Sequence, residues 1–429
     1  MNNKKIWEEA EKIIPGGNGL LSKRPQRFLP DGWPIYYKKA KGIYIWDLSL
    51  KKYTDFSIMG VGTAILGYAN DQVDKKAISA IKASINTTLN SKEEFLLAKE
   101  ILKYDKFADQ VKFAKAGGEA MAIATRIART NTNKHKIVFC GYHGWHDWYI
   151  SANLSDRKNL NNHLLQNLNP TGIPKILKNL MIPLKFNDYK SLKEIFLKDR
   201  NAGILVIEGA RNDYLSKNFV KTLKQVQRKY NIIVIIDEIT SGWRETMGGV
   251  YKKVGIKPDM VVYGKALGNG YPISAVVGKK NIMKKSNETF ISSTAWTERI
   301  GFAAALETIK FLKRKNVSKL IQKRGMKIIK NWKILAQKND LKLKTNNFYS
   351  SPSFQFDYAS ESEKLHTLFT ELMLKRGYLA TNYMFVTYSH SDREINKYLK
   401  NCDKVFTQIK ESLFLKKNIL KSRIRKMTY

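Results

Sequence analysis

Four short segments of this 429-residue chain combine residue types that do chemistry. In KAGGEAMAIATRIAR (115–129), Gly117 and Gly118 lead directly into a helical pattern. Backbone N–H groups at a helix start, unshielded by side chains, bind anions such as phosphate. A plain loop before a helix has the same look, and the segment alone does not separate the two. In IIVIIDEITSGWR (232–244), a β-branched run ends on Asp237. A carboxylate closing a buried strand is costly without a partner. A protonated ring nitrogen, a loop N–H, or a metal ion shared with Glu238 would each serve. In PDMVVYGKALGNGYPISAVVG (258–278), Lys265 follows an apolar strand and precedes Gly268, Gly270 and Pro272. Burial lowers a lysine's pKa and frees its amine as a nucleophile. The glycine spacing before Lys265 and the missing Ser/Thr after it exclude a Walker phosphate loop. In FCGYHGWHDWY (139–149), Tyr142 offers a ring that could stack on a planar ligand, and His143 and His146 offer metal-binding nitrogens. No HExxH pattern or cysteine pair accompanies them, so no metal is expected.

The elements around these segments predict an α/β fold. KIVFC (136–140), GILVIE (203–208), IIVIID (232–237) and DMVVYG (259–264) are short apolar runs suited to strands covered on both faces, with SAVVG (274–278) as a fifth. Helical patterns at 119–130 and 217–230 give a βαβ rhythm and hence a mainly parallel sheet. Ligands of such sheets sit at the carboxyl ends of the strands, where Glu208, Asp237 and Lys265 fall. Further helices are predicted at 5–14, 71–88, from 92 behind a Ser91–Glu94 capping box, 299–314, 317–337, 360–376 and 392–413. Short strands are predicted at 35–37, 43–46, 353–357 and 385–388. The expected organisation is an N-terminal arm over 1–55, a large domain over 56–315 and a smaller α+β domain over 316–429.

Hydrophobic residues make up 43% of the chain, which fits a globular core rather than disorder. No uncharged apolar run is long enough for a membrane span, and the N-terminus does not read as a signal peptide. The two cysteines, Cys140 and Cys402, match no disulfide or zinc spacing, so a cytoplasmic location is expected. The net charge of +39 is spread along the chain, which reads as a solvated basic surface that attracts anionic ligands, with no specific nucleic-acid site. The densest basic run, 416–429, reads as a frayed C-terminal helix.

In their order and spacing these segments resemble the class III aminotransferases, and within them the glutamate-1-semialdehyde 2,1-aminomutase group. The likeness runs from AEKIIPGG (10–17) through AKGIYIWDLSLKKYTDF (40–56) and ILGYANDQV (65–73) to LKRGYLATN (374–382). It implies the fold type I of pyridoxal 5′-phosphate (PLP) transferases, with a seven-stranded-type sheet flanked by helices on both faces. It implies PLP as cofactor, held as a Schiff base by Lys265, with Asp237 as partner of the pyridinium nitrogen. Gly117 and Gly118 fall on the phosphate-binding Gly-Thr-Glu-Ala turn, here without its threonine. Tyr142 resembles the ring-stacking aromatic, and Glu208 the glutamate of Glu-Pro-Val, here followed by Gly209 and Ala210. Thr294 falls where the family places a threonine reaching the phosphate of a neighbouring subunit, which implies a homodimer with shared active sites.

Two segments depart from the pattern. Trp296-Thr297-Glu298-Arg299 replaces Gly-Asn-Pro and resembles a branch associated with surface-carbohydrate biosynthesis, and SIMGVGTAILG (57–67) lacks Ser-Trp-Gly. The expected function is transfer of an amino group from an amino-acid donor to an oxo-acid or keto-sugar-type acceptor, with Lys265 as general acid/base and Asp237 as electrostatic partner. Intramolecular amino exchange by an aminomutase is the alternative. A non-catalytic binding protein on the same fold is the remote one. Arg244 and Arg299 are candidates for substrate-anion recognition or for structural ion pairs, and Glu298 and His390 are further pocket candidates.

Overall fold

The computed structural model describes residues 3–414 and 419–426. The chain divides into two compact units, one of residues 71–318 and one built from 1–70 together with 319–429. The sequence placed its boundaries at 55 and 315 instead, with the arm as a separate segment. The grouping has a backbone cause, because strand Tyr378–Ala380 pairs in parallel with strand Lys52–Phe56.

The 71–318 unit is organised by seven strands: β1 (Gln110–Ala114), β2 (Lys136–Cys140), β3 (Met181–Pro183), β4 (Ala202–Glu208), β5 (Ile233–Asp237), β6 (Met260–Tyr263) and β7 (Ser274–Gly278). Their order across the sheet is β1-β7-β6-β5-β4-β2-β3. Only β7 opposes its neighbours, β1 and β6; the pairs from β6 to β3 are parallel. Every residue of β4 through β7 is buried, as the unbroken apolar runs require. The five strands read from the sequence are present. β1 and β3 were missed: QVKFA is partly polar, and MIP is three residues long with a proline at its end.

Helix Gly117–Thr130 buries Met121, Ala124, Ile127 and Ala128 in the same apolar cluster as β-strand residues Ile137, Val206, Ile235 and Val276. Helix Lys217–Tyr230 begins at Ser216, whose hydroxyl accepts the Phe219 N–H, and stops at Asn231 in the left-handed region. Helix Asp71–Lys82 is shorter than the predicted 71–88; Ser84 takes a φ of +75°, and the INTTLN run that follows is a poor helix former. Ser91 occupies the N-cap of helix Lys92–Leu102 but makes no side-chain cap bond, so the predicted capping box is not formed.

The other unit holds the antiparallel strands Tyr37–Lys41, Tyr44–Asp47 and Lys52–Phe56 with Tyr378–Ala380 beside them, and a separate pair, Leu343–Thr345 with Phe354–Phe356. The predicted strand at 385–388 is absent. Its N–H groups bond instead to three separated carbonyls, from Phe385 to Ser57, Val386 to Ser350 and Tyr388 to Ile65, so no ladder forms. Helices Asn3–Ile13, Ser362–Lys375 and Asp392–Phe414 belong to this part, with most of helix Val317–Lys338. Of the basic tail, residues 419–426 are not helical, and 415–418 and 427–429 lie outside the described residues. Among the described residues no helix is long and apolar enough to cross a membrane.

Candidate active site

Because β7 alone runs against the sheet, the ends of β1, β2, β4, β5 and β6 and the start of β7 meet at one edge. Ala114 is paired with Ser274, Ala275 with Tyr263, and Glu208 with Asp237. The chemically interesting segments all leave from this edge.

Asp237 closes β5 and is 4% exposed. Its Oδ1 accepts the Ile239 N–H at 2.9 Å, and its Oδ2 stands 2.8 Å from His143 Nδ1. His143 is itself buried, and its Nε2 has no hydrogen-bond partner. Lys265 leaves β6 through Gly264 with a φ of +40°. A side-chain-bearing residue held there stores on the order of 1–3 kcal/mol and persists only where its surroundings over-determine it. Lys265 Nζ donates to Thr240 Oγ1 at 2.8 Å. Burial pushes its pKa down; the carboxylates of Asp237 and Glu208 oppose that shift and the Arg244 guanidinium adds to it.

Glu208 closes β4. Burial raises its pKa, opposed by the Arg211 guanidinium 3.6 Å away. Its Oε2 accepts the Tyr142 N–H at 3.4 Å. Gly141 makes this packing possible: at φ +121°, a Cβ there would lie 2.4 Å from Glu208 Oε2. Tyr142 follows, 41% exposed as a residue and with its ring edge-on to Tyr149. Tyr149 in turn donates its hydroxyl to the Gly141 carbonyl at 2.7 Å.

Gly117 and Gly118 open helix Gly117–Thr130, so their N–H groups have no carbonyl one turn back within the helix. Glu119 folds back to accept the N–H groups of Ala116 (2.9 Å) and Lys115 (3.2 Å), bracing the turn from the other side. The turn is tightly packed here: a Cβ on Gly117 would lie 3.0 Å from the Ile239 side chain, and one on Gly118 would lie 3.0 Å from the His146 ring, so a neighbour would have to shift to admit either.

Other residues read from the sequence have partners or burial of their own. Arg299 is committed to Glu93 through two hydrogen bonds of 2.7 and 3.0 Å, so it is a structural ion pair and not an anion receptor. Arg244 is fully buried, and burial pushes its pKa down to about 9. Glu298 caps helix Arg299–Arg314 through the Ile300 N–H and pairs with Lys115 at 2.7 Å. His390 belongs to the other unit: Nδ1 accepts the Thr387 N–H, and Nε2 lies 2.9 Å from the Asp55 carbonyl. Its pKa is lowered to about 4 by burial, as suits a neutral ring locked in the core. Glu238 turns away from Asp237 to accept from Ser241 and from the Tyr251 N–H. Thr294 lies exposed on the short turn Thr294–Thr297. Among the described residues no three His, Cys, Asp or Glu side chains are grouped to hold a metal ion.

The sequence also left partners unseen. In the sequence His143 stands out only as a metal-ligand candidate, and nothing marks Thr240 or Arg211. Each meets its partner across 25 to 94 residues or at a turn of the backbone, and no local spacing signals such a contact.

The arrangement suits a planar ligand with a phosphate and a basic ring nitrogen. An anion-binding helix start, a buried carboxylate, an exposed aromatic face and a half-buried amine stand on one sheet edge, and two buried imidazole nitrogens, His143 Nε2 and His146 Nδ1, are unpartnered there. The family model Aminotransferase class-III matches residues 30–344. A 3-aminobutyryl-CoA aminotransferase of Cloacimonas acidaminovorans (strain Evry) is 28% identical over 424 residues, covering 95% of this chain and 97% of its own. A glutamate-1-semialdehyde 2,1-aminomutase of Wigglesworthia glossinidia brevipalpis is 30% identical over 436 residues, covering 95% and 98%. The solved PLP internal aldimine form of the Sphingopyxis sp. MTA144 FumI protein shares the fold, with a TM-score of 0.85 at 22% identity over 96% of this chain and 97% of that one.

Proposed function

This chain belongs to the class III aminotransferases, with PLP as its cofactor, and from that premise we propose that it moves an amino group from an amino-acid donor to an oxo-acid or keto-sugar-type acceptor. The observation that carries the proposal is the meeting of Lys265, Asp237, Tyr142 and the Gly117–Gly118 turn on one sheet edge.

When bound, PLP supplies an electron sink for the substrate carbon next to the transferred nitrogen. The protein's part is to orient, charge and shuttle. The N–H groups of Gly117 and Gly118 would hold the phosphate, and the Tyr142 face would lie against the ring. Asp237, oriented by His143 and the Ile239 N–H, keeps a proton on the ring nitrogen. Glu208 is the register partner of Asp237 on the neighbouring strand. Lys265 Nζ takes up and returns the substrate proton, and its lowered pKa increases the fraction present as free amine.

The homodimer reading has a physical support of its own. Ile78, Ile81, Leu89 and Phe95, from helix Asp71–Lys82 to helix Lys92–Leu102, are all more than half exposed. A second copy of the chain is the occupant that would cover them while bringing Thr294 to the neighbouring phosphate. Light scattering should give twice the mass of one chain; the mass of a single chain would remove the shared site.

Intramolecular exchange is favoured by one observation, the 30% identity with an aminomutase over nearly the whole chain. The visible spectrum of the purified protein, before and after L-glutamate, separates the readings. Bleaching of the cofactor band with release of 2-oxoglutarate is the expected result. A band indifferent to glutamate and to every other free amino acid would favour the aminomutase. No cofactor band, even after PLP is added, would leave only the binding-protein reading.

A further inference from the structure

The Gly117–Gly118 turn raises a question of supply: the resemblance places a threonine hydroxyl at position 118, and this chain has none. We infer that His146 replaces that hydroxyl, giving its Nδ1 hydrogen bond to the cofactor phosphate. The inference rests on the reading that PLP sits with its phosphate at this turn.

Three observations converge on Nδ1. A Cβ built on Gly118 would lie 3.0 Å from both Cε1 and Nδ1 of His146, so the imidazole occupies the first step of the path a threonine side chain would take. A Cβ built on Gly144 would lie 3.8 Å from His146 Nδ1 and 4.0 Å from the Gly118 nitrogen, so the ring nitrogen lies near the backbone nitrogen at the helix start. Finally, His146 Nδ1 is buried without a hydrogen-bond partner. A buried polar atom left unpaired costs free energy unless a ligand or water completes it, and a helix start is where an anion would arrive.

The ring is also held. His146 stands at the N-cap of helix Asp147–Ile150, and its carbonyl accepts the N–H groups of Tyr149 (2.9 Å) and Ile150 (3.2 Å). Trp145 stacks against the imidazole at 4.6 Å with planes 25° apart. A neutral imidazole protonated on Nδ1 is enough to donate, so no added charge is required. Glycine at 118 and histidine at 146 thus form a matched pair: the small residue makes the room and the large one brings the donor. Restoring threonine at 118 while keeping His146 would force the two together.

The test compares PLP with pyridoxal, which lacks the phosphate, binding to the full-length cofactor-free protein. For His146→Phe, which keeps bulk and stacking but loses the donor, the PLP dissociation constant should rise by roughly tenfold, the scale of one charge-assisted hydrogen bond. Pyridoxal affinity should stay unchanged. His146→Asn, which keeps a donor, should recover part of the loss, and the pair Gly118→Thr with His146→Ala should recover most of it. Equal losses for PLP and pyridoxal, or no change for PLP, would overturn the inference. If the Phe variant does not fold, the Gly118→Thr/His146→Ala pair against His146→Ala makes the same comparison. Wild-type protein that binds neither compound would overturn the cofactor reading itself, which is a separate result.

Discussion

Lys265→Ala is expected to abolish turnover while leaving the protein folded. The half-buried amine at the sheet edge is the group proposed above to shuttle a proton to and from substrate carbon. Arg211 and Arg244 cannot replace it, because a guanidinium keeps its proton near neutral pH and Arg244 is wholly buried. Loss of a positioned general acid/base removes roughly 10²–10⁴-fold in rate, and loss of the covalent anchor adds to that. The structural cost is small by comparison. One hydrogen bond to Thr240 disappears, worth about 1 kcal/mol, and an amine whose charged form burial disfavours is removed with it. Steady-state rates with the best donor, set beside a thermal melt, check both halves. A melt near wild type with turnover lost is the expected pair; full activity would sink the assignment of Lys265.

Asp237→Asn is expected to give the second largest effect. The substitution keeps the shape and an oxygen for the Ile239 N–H, but removes the negative charge that would hold a proton on a ring nitrogen. Taking away one preorganised electrostatic partner of this kind costs on the order of 10²–10³ in rate. His143 Nδ1, 2.8 Å away, then faces an amide in place of a carboxylate. The spectral half-reaction with L-glutamate reads this directly, because it follows chemistry without product release. A rate within a few-fold of wild type would exclude Asp237 as the ring's charge partner, and would leave its hydrogen bonds to His143 and Ile239 as its whole contribution.

Both predictions rest on residues whose identity was legible in the sequence. Apolar runs that end abruptly on Glu208, Asp237 and Gly264-Lys265 say that these groups stand at strand ends, because a fully buried strand cannot carry a charge in its middle. The same runs specify a mainly parallel sheet, and two glycines before a helical period specify an open helix start. These are local facts: hydrophobic period, chain punctuation and side-chain size. What they leave undetermined is which ends become neighbours. The sheet order is not the chain order, and one reversed strand, β7, brings Ala114 beside Ser274 and so places the glycine turn at the same edge as Lys265. Tertiary structure also sorted the cations and histidines. Arg299 is bound to Glu93, 206 residues away, and His390 is locked to Asp55, while His143 is joined to Asp237. No pattern in the chain marks those pairings, because a hydrogen bond between distant residues depends on backbone placement to a few tenths of an ångström, and that placement is set by the packing of the whole unit. The residue types and the kind of chemistry were thus determined by the sequence, and the choice of which charged groups stand together at the sheet edge by the fold.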